Sequence, residues 1–98
     1  MIKIIKVTGD SLSPFFLSGD FVFINTSRRL YKKLKPDDVV VFNHPDYGRL
    51  IKRVVVNNSQ SENIKVSGYS EDSVSSHKLG PIPYSAIIGK VIYQVKQI

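Results

Sequence analysis

A chain of 98 residues with 42% apolar residues is the size of one domain, residues 1–98, built around one modest core. It contains no cysteine, which excludes a disulfide framework, a thiolate metal site and a thiol nucleophile. The net charge is +6, and five of the fourteen basic residues fall in Arg28-Arg29-Leu30-Tyr31-Lys32-Lys33-Leu34-Lys35. Only Tyr31 in that run could stack on a base and no helical reading element surrounds it, so it reads as a solvated loop and not as a nucleic-acid surface.

In chain order, strand signals fall at Ile2 to Val7, Phe21 to Asn25, Val39 to Phe42, Leu50 to Val56, Asn63 to Val66 and Ile87 to Val95, all rich in β-branched or aromatic residues. Turn formers separate them: Gly9-Asp10, Ser18-Gly19-Asp20, Lys35-Pro36-Asp37, His44-Pro45-Asp46 and Asn57-Asn58-Ser59. Phe21-Val22-Phe23-Ile24 suits a strand buried on both faces, whereas Ile87 to Lys96 mixes apolar and polar positions as a half-exposed strand would. The expected fold is mainly β, with folded-over antiparallel sheets or a partly closed barrel. Helix is confined to short turns, one after Pro14 and one within Glu71 to His77. No apolar window is long enough to span a membrane, and charge interrupts Met1-Ile2-Lys3-Ile4-Ile5-Lys6 too early for a secretory leader core, so a soluble cytoplasmic protein is expected. His44 and His77 have no ligand spacing, and neither a metal nor an organic cofactor is expected.

Three blocks stand apart. The first runs Gly9-Asp10-Ser11-Leu12-Ser13-Pro14 and continues to Gly19-Asp20-Phe21-Val22; the second is Lys35-Pro36-Asp37-Asp38-Val39-Val40-Val41-Phe42 followed by Arg49-Leu50-Ile51-Lys52-Arg53-Val54-Val55; the third runs from Gly68 to Gly80-Pro81, before Ile88-Gly89-Lys90-Val91. In this order and with these gaps they resemble the signal peptidase I family of the wider LexA-like Ser/Lys peptidases. The resemblance implies that family's β fold, Ser11 as nucleophile with its own backbone amide in the oxyanion site, Lys52 as general base, and Ser73 as a hydrogen-bond partner of the lysine. Several positions depart from the family pattern. Gly9 stands where many membrane signal peptidases carry an assisting serine, Leu12 where methionine is usual, and Ser75 and His77 where an Asp and Arg pair is usual. The third block is one residue short, so Ser70-Glu71-Asp72-Ser73 offers a second alignment in which Ser70 takes the place of Ser73.

Physical chemistry makes its own case for the dyad. A serine hydroxyl needs a neighbouring base to take its proton, and with no histidine near either block lysine is the base at hand. A lysine with the ordinary pKa of about 10.4 is almost wholly protonated near neutrality, so it acts only where burial disfavours the ammonium. In a strand, Leu50, Lys52 and Val54 share one face and Ile51, Arg53 and Val55 the other, which would give an inward Lys52 apolar neighbours. The plainer alternatives are a solvent-facing Lys52 and a Ser11 that serves only its own turn.

The expected partner is a peptide segment of a precursor protein. Val41-Phe42-Asn43-His44-Pro45 and the small size resemble the maturation proteases of nickel-type superoxide dismutase. A LexA-like self-cleaving domain and a non-catalytic peptide-binding member are the alternatives. Phe15-Phe16-Leu17 is expected to pack under the Gly19-Asp20 turn, with a substrate pocket or peripheral membrane contact as its other possible uses.

Overall fold

The computed structural model describes residues 1–9, 15–68 and 76–96. Among these residues seven strands form one open antiparallel sheet: β1 (Ile2–Lys6), β2 (Phe21–Asn25), β3 (Val39–His44), β4 (Gly48–Asn58), β5 (Asn63–Ser67), β6 (Ile82–Pro83) and β7 (Ile87–Val95). Their order across the sheet is β1-β2-β7-β3-β4-β5-β6, so β1 and β6 are its edges. The six strands expected from the sequence are all present, and β3 and β4 run further into their shared turn than the apolar pattern indicated. The two-residue β6 has no period to read and carries a proline, which suits an edge.

Strand β3 is central. Its Val40 and Phe42 face one apolar cluster with Val54, Ile64, Val66, Leu79, Ile82 and Ile87. Its Val41 faces a second cluster with Val7, Val22, Ile24 and Ile51. Burial on both faces explains the unbroken apolar run at Val39 to Phe42, and each fully buried Val, Ile or Phe contributes about 1.5–3 kcal/mol. Val7, just beyond β1, meets Ile51 of β4 although three strands separate β1 from β4, so the sheet curls over on itself. It stays open, as an unclosed relative of the expected barrel.

Bulges accompany the curl. Ladder shifts leave Ile88 and Ile92 of β7 and Val55 of β4 as extra residues, each adding local bend and twist. At the same crossing a Cβ on Gly89 would sit 2.9 Å from the Asn25 carbonyl oxygen, so only glycine lets β7 approach β2 this closely.

Two expectations are corrected. The basic run is not an open loop: Arg28–Lys33 is a 3-10 helix whose Tyr31, with Leu34 just beyond it, enters the core while the cations stay in solvent. Three residues separate Tyr31 from Leu34, one turn of such a helix. Asn57 holds it there, its Nδ2 donating to the carbonyls of Tyr31 (2.9 Å) and Leu34 (3.0 Å) while its Oδ1 accepts from the Tyr84 hydroxyl. The second correction concerns β2, which is buried on one face only: Val22 and Ile24 are inside, but Phe21 is exposed and Phe23 meets Tyr93 on the outer surface. The half-exposed reading of β7 agrees with its burial pattern.

Of the expected helical turns, the one after Pro14 is turn and bend from Phe15 onward; of the one within Glu71 to His77, residues 71–75 lie outside the described residues, and Ser76 and His77 begin α1 (Ser76–Leu79). No helix among the described residues is long and apolar enough to cross a membrane.

Candidate active site

Lys52 is 1% exposed, among the most deeply buried side chains of the protein. It lies on β4 directly across from Val40, and the flanking Leu50 and Val54 join the cluster that contains Val40. The strand alternation read from the sequence therefore holds here, with Ile51 turned to the opposite cluster. Burial pushes the Lys52 amine below the ordinary lysine range, because a dehydrated ammonium is disfavoured. The shift makes the amine easier to deprotonate, and so more available as a proton acceptor, than a solvated lysine.

Neighbouring structure fixes that position. The β4–β5 ladder ends at Arg53 paired with Ser67, one residue from Lys52. On the other side, the turn Lys35–Asp38 is laced to Val54: Asp37 N donates to the Val54 carbonyl (2.8 Å) and Val54 N to the Asp38 carbonyl (2.7 Å). Asp37 reaches Arg53, and Asp38 reaches Lys90 of β7, each at 3.7 Å.

Ser11, its backbone amide and Ser73 lie outside the described residues, as do Ser70 and most of the third block. Both stems of the Ser11 segment are described. Before it, Gly9 has φ +84°, a left-handed conformation that other residues adopt at a cost, which accounts for glycine at this position. Val7 N donates to the Asp20 carbonyl (2.7 Å) and Gly19 N to the Val7 carbonyl (2.9 Å), clamping the two stems together.

After it, the buried Asp20 carboxylate accepts from Leu17 N (3.0 Å) and from Gln94 Nε2 (3.0 Å), and Gln94 also donates to the Phe15 carbonyl (2.7 Å). Asp20 and Gln94 thus hold together the stem that follows the Ser11 segment. Asp20 was visible in the Gly-Asp turn, but Gln94 gave no sequence signal, since its role depends on β7 lying beside β2. Within Phe15-Phe16-Leu17 only Phe16 packs inward; Phe15 and Leu17 are exposed, which corrects the expectation that the whole triplet lies under the turn.

Between β1 and the β3–β4 hairpin lies a cavity of about 330 Å³ lined by residues 4–8 of the first stem and by Val41, Arg49 and Ile51. Sequence reasoning did not mark Lys6 or Arg49, since the curl that brings them to one groove is not a local property. His44, considered for metal binding, spends both ring nitrogens inside the fold: Nε2 donates to the Leu79 carbonyl (3.1 Å) and Nδ1 accepts from Asp46 N (3.1 Å). The first bond ties the end of β3 to α1, and the second closes the turn that follows β3.

The described part of the site is therefore a buried lysine on a strand, with the residues on either side of the Ser11 segment clamped together and Val7 sharing a cluster with Ile51, the neighbour of Lys52. The chain belongs to the family described as signal peptidase, peptidase S26, whose profile matches residues 1–61 and so spans both the Ser11 and the Lys52 blocks. Among curated proteins it is similar to Signal peptidase I V of Bacillus subtilis (strain 168), at 38% identity over 50 residues. That match takes in 51% of this chain and 30% of the relative, so the chain corresponds to under a third of that protein's length.

Proposed function

We propose that this chain is a serine endopeptidase that removes a leader or pro-segment from a precursor protein, with Ser11 as nucleophile and Lys52 as general base. The observation that carries the reading is Lys52 itself, an amine 1% exposed among valines and leucines, where a lysine kept only for solubility would not be placed. In this mechanism an extended peptide pairs with the open edge of β1. Ser11 Oγ bonds to the scissile carbonyl carbon as its proton passes to Lys52 Nζ, and the resulting oxyanion meets backbone amides that include that of Ser11. Lys52 then protonates the departing amine, and water attacks the acyl-enzyme by the reverse proton route. Ser73 accepts the role of holding Lys52 by a hydrogen bond. No cofactor enters these steps.

The first substrate to try is a nickel-type superoxide dismutase precursor, with the cytoplasm as the place of reaction. Purified chain is incubated with that precursor and the product masses are read. Ser11→Ala and Lys52→Ala should each abolish cleavage while the far-ultraviolet circular dichroism stays that of a folded β protein. Cleavage by a folded Lys52→Ala variant at the wild-type rate would remove Lys52 as base, and self-truncation of the chain would favour the LexA-like alternative.

A further inference from the structure

The groove between β1 and the β3–β4 hairpin has an apolar floor and a cationic rim. Val7, Val41 and Ile51 of its lining are buried members of one cluster, and Ile5 packs against them. Lys6 and Arg49, also in the lining, are exposed, one on each bank. Among the described residues no acidic side chain lines the groove. Among the described residues Asp37 pairs with Arg53, Asp38 with Lys90, and Asp20 bonds Gln94, and no ion pair engages Lys6 or Arg49. Two like charges are thus held at one mouth without a described counter-ion, in a chain of net charge +6.

We propose that this groove selects peptides carrying an aspartate or glutamate, with Lys6 and Arg49 as the specificity-determining residues. The proposal rests on the peptidase reading and adds the substrate class to it. An extended peptide added to the β1 edge alternates its side chains, so one apolar side chain can enter the floor while its neighbour faces the rim. Lys6 is five residues from Ser11, and at about 3.3 Å per strand residue the acidic side chain falls within about five residues of the bond that is cut. Both cations are exposed, so each contact is modest and screened by salt; together they give about threefold to tenfold selection for acid over amide.

The test is a digest of a proteome-derived peptide library, with cleavage sites read by mass spectrometry and Ser11→Ala as the blank. Wild-type sites should show Asp or Glu enriched about threefold to tenfold at one position within five residues of the cut, with the enrichment shrinking at high salt. The Lys6→Gln/Arg49→Gln variant should lose that enrichment, and Lys6→Glu/Arg49→Glu should move it to Lys and Arg. Ser11-dependent cuts without acidic enrichment, or enrichment insensitive to salt and unchanged by neutralisation, would overturn the proposal while leaving the peptidase reading intact. A digest with no Ser11-dependent cuts would instead defeat the peptidase reading and this inference with it.

Discussion

Replacing Lys52 with methionine should inactivate the protein and stabilise it. The two side chains are similar in length, and the site is 1% exposed and bounded by Val40, Leu50 and Val54, so the thioether fits without removing packing. What it removes is the cost of dehydrating an amine, about 1–3 kcal/mol for a buried polar group. For a chain of 98 residues each 1 kcal/mol corresponds to about 4–8 °C in Tm.

The sign of the pH dependence follows from burial. The folded-state pKa of Lys52 is lowered, so between that value and the unfolded value of about 10.4 the unfolded chain holds the extra proton. Wild-type stability therefore rises with pH through that window by at most about 1.4 kcal/mol per unit, is fully present above the unfolded pKa, and is lost as pH falls towards the folded pKa. Methionine does not titrate, so the advantage of Lys52→Met should be largest in mild acid and shrink towards alkaline pH. Urea unfolding of both proteins, followed by circular dichroism from about pH 6 to about pH 10, measures the gap directly. Two parallel stability curves, or a methionine variant that is weaker throughout, would refute the placement of the amine.

Three further outcomes are expected. Lys35–Asp38 is a turn with Pro36 second and Asp37 third at φ +75°, a geometry that favours glycine, so Asp37→Gly should raise stability by about 0.5–1 kcal/mol after loss of the exposed contact to Arg53; an unchanged urea midpoint would contradict this. Asn57→Ala strands the carbonyls of Tyr31 and Leu34 and should cost about 1–3 kcal/mol in the same assay, visible also as early melting of the 3-10 helix in hydrogen exchange. Gln94→Ala removes its bonds to Phe15 and Asp20 and should lower kcat by about tenfold, without changing the pH profile expected of a Lys52 base, in which activity rises as the amine loses its proton; an unaltered kcat would remove Gln94 from the positioning of Ser11.

The strands were legible because their physics is local. β-branched runs bounded by turn formers gave β2 and β7 their bounds, and alternation alone placed Lys52 with Leu50 and Val54. Curvature was not legible, because it comes from bulges at Ile88, Ile92 and Val55 that depend on which strands become neighbours. For the same reason the groove holding Lys6 and Arg49 and the reach of Gln94 to the Ser11 stems were hidden. The 3-10 helix at Arg28–Lys33 was masked by its charges, since only Leu30, Tyr31 and the following Leu34 carry an apolar signal.

Everything rests on the protonation of one buried amine. Labelling the lysines with carbon-13 and titrating the Lys52 Cε resonance, assigned by its disappearance in Lys52→Met, reads that protonation in the folded protein. It should titrate below the ordinary lysine value of about 10.4 and over the same pH range in which peptide cleavage rises. A resonance titrating at or above that value would contradict the account.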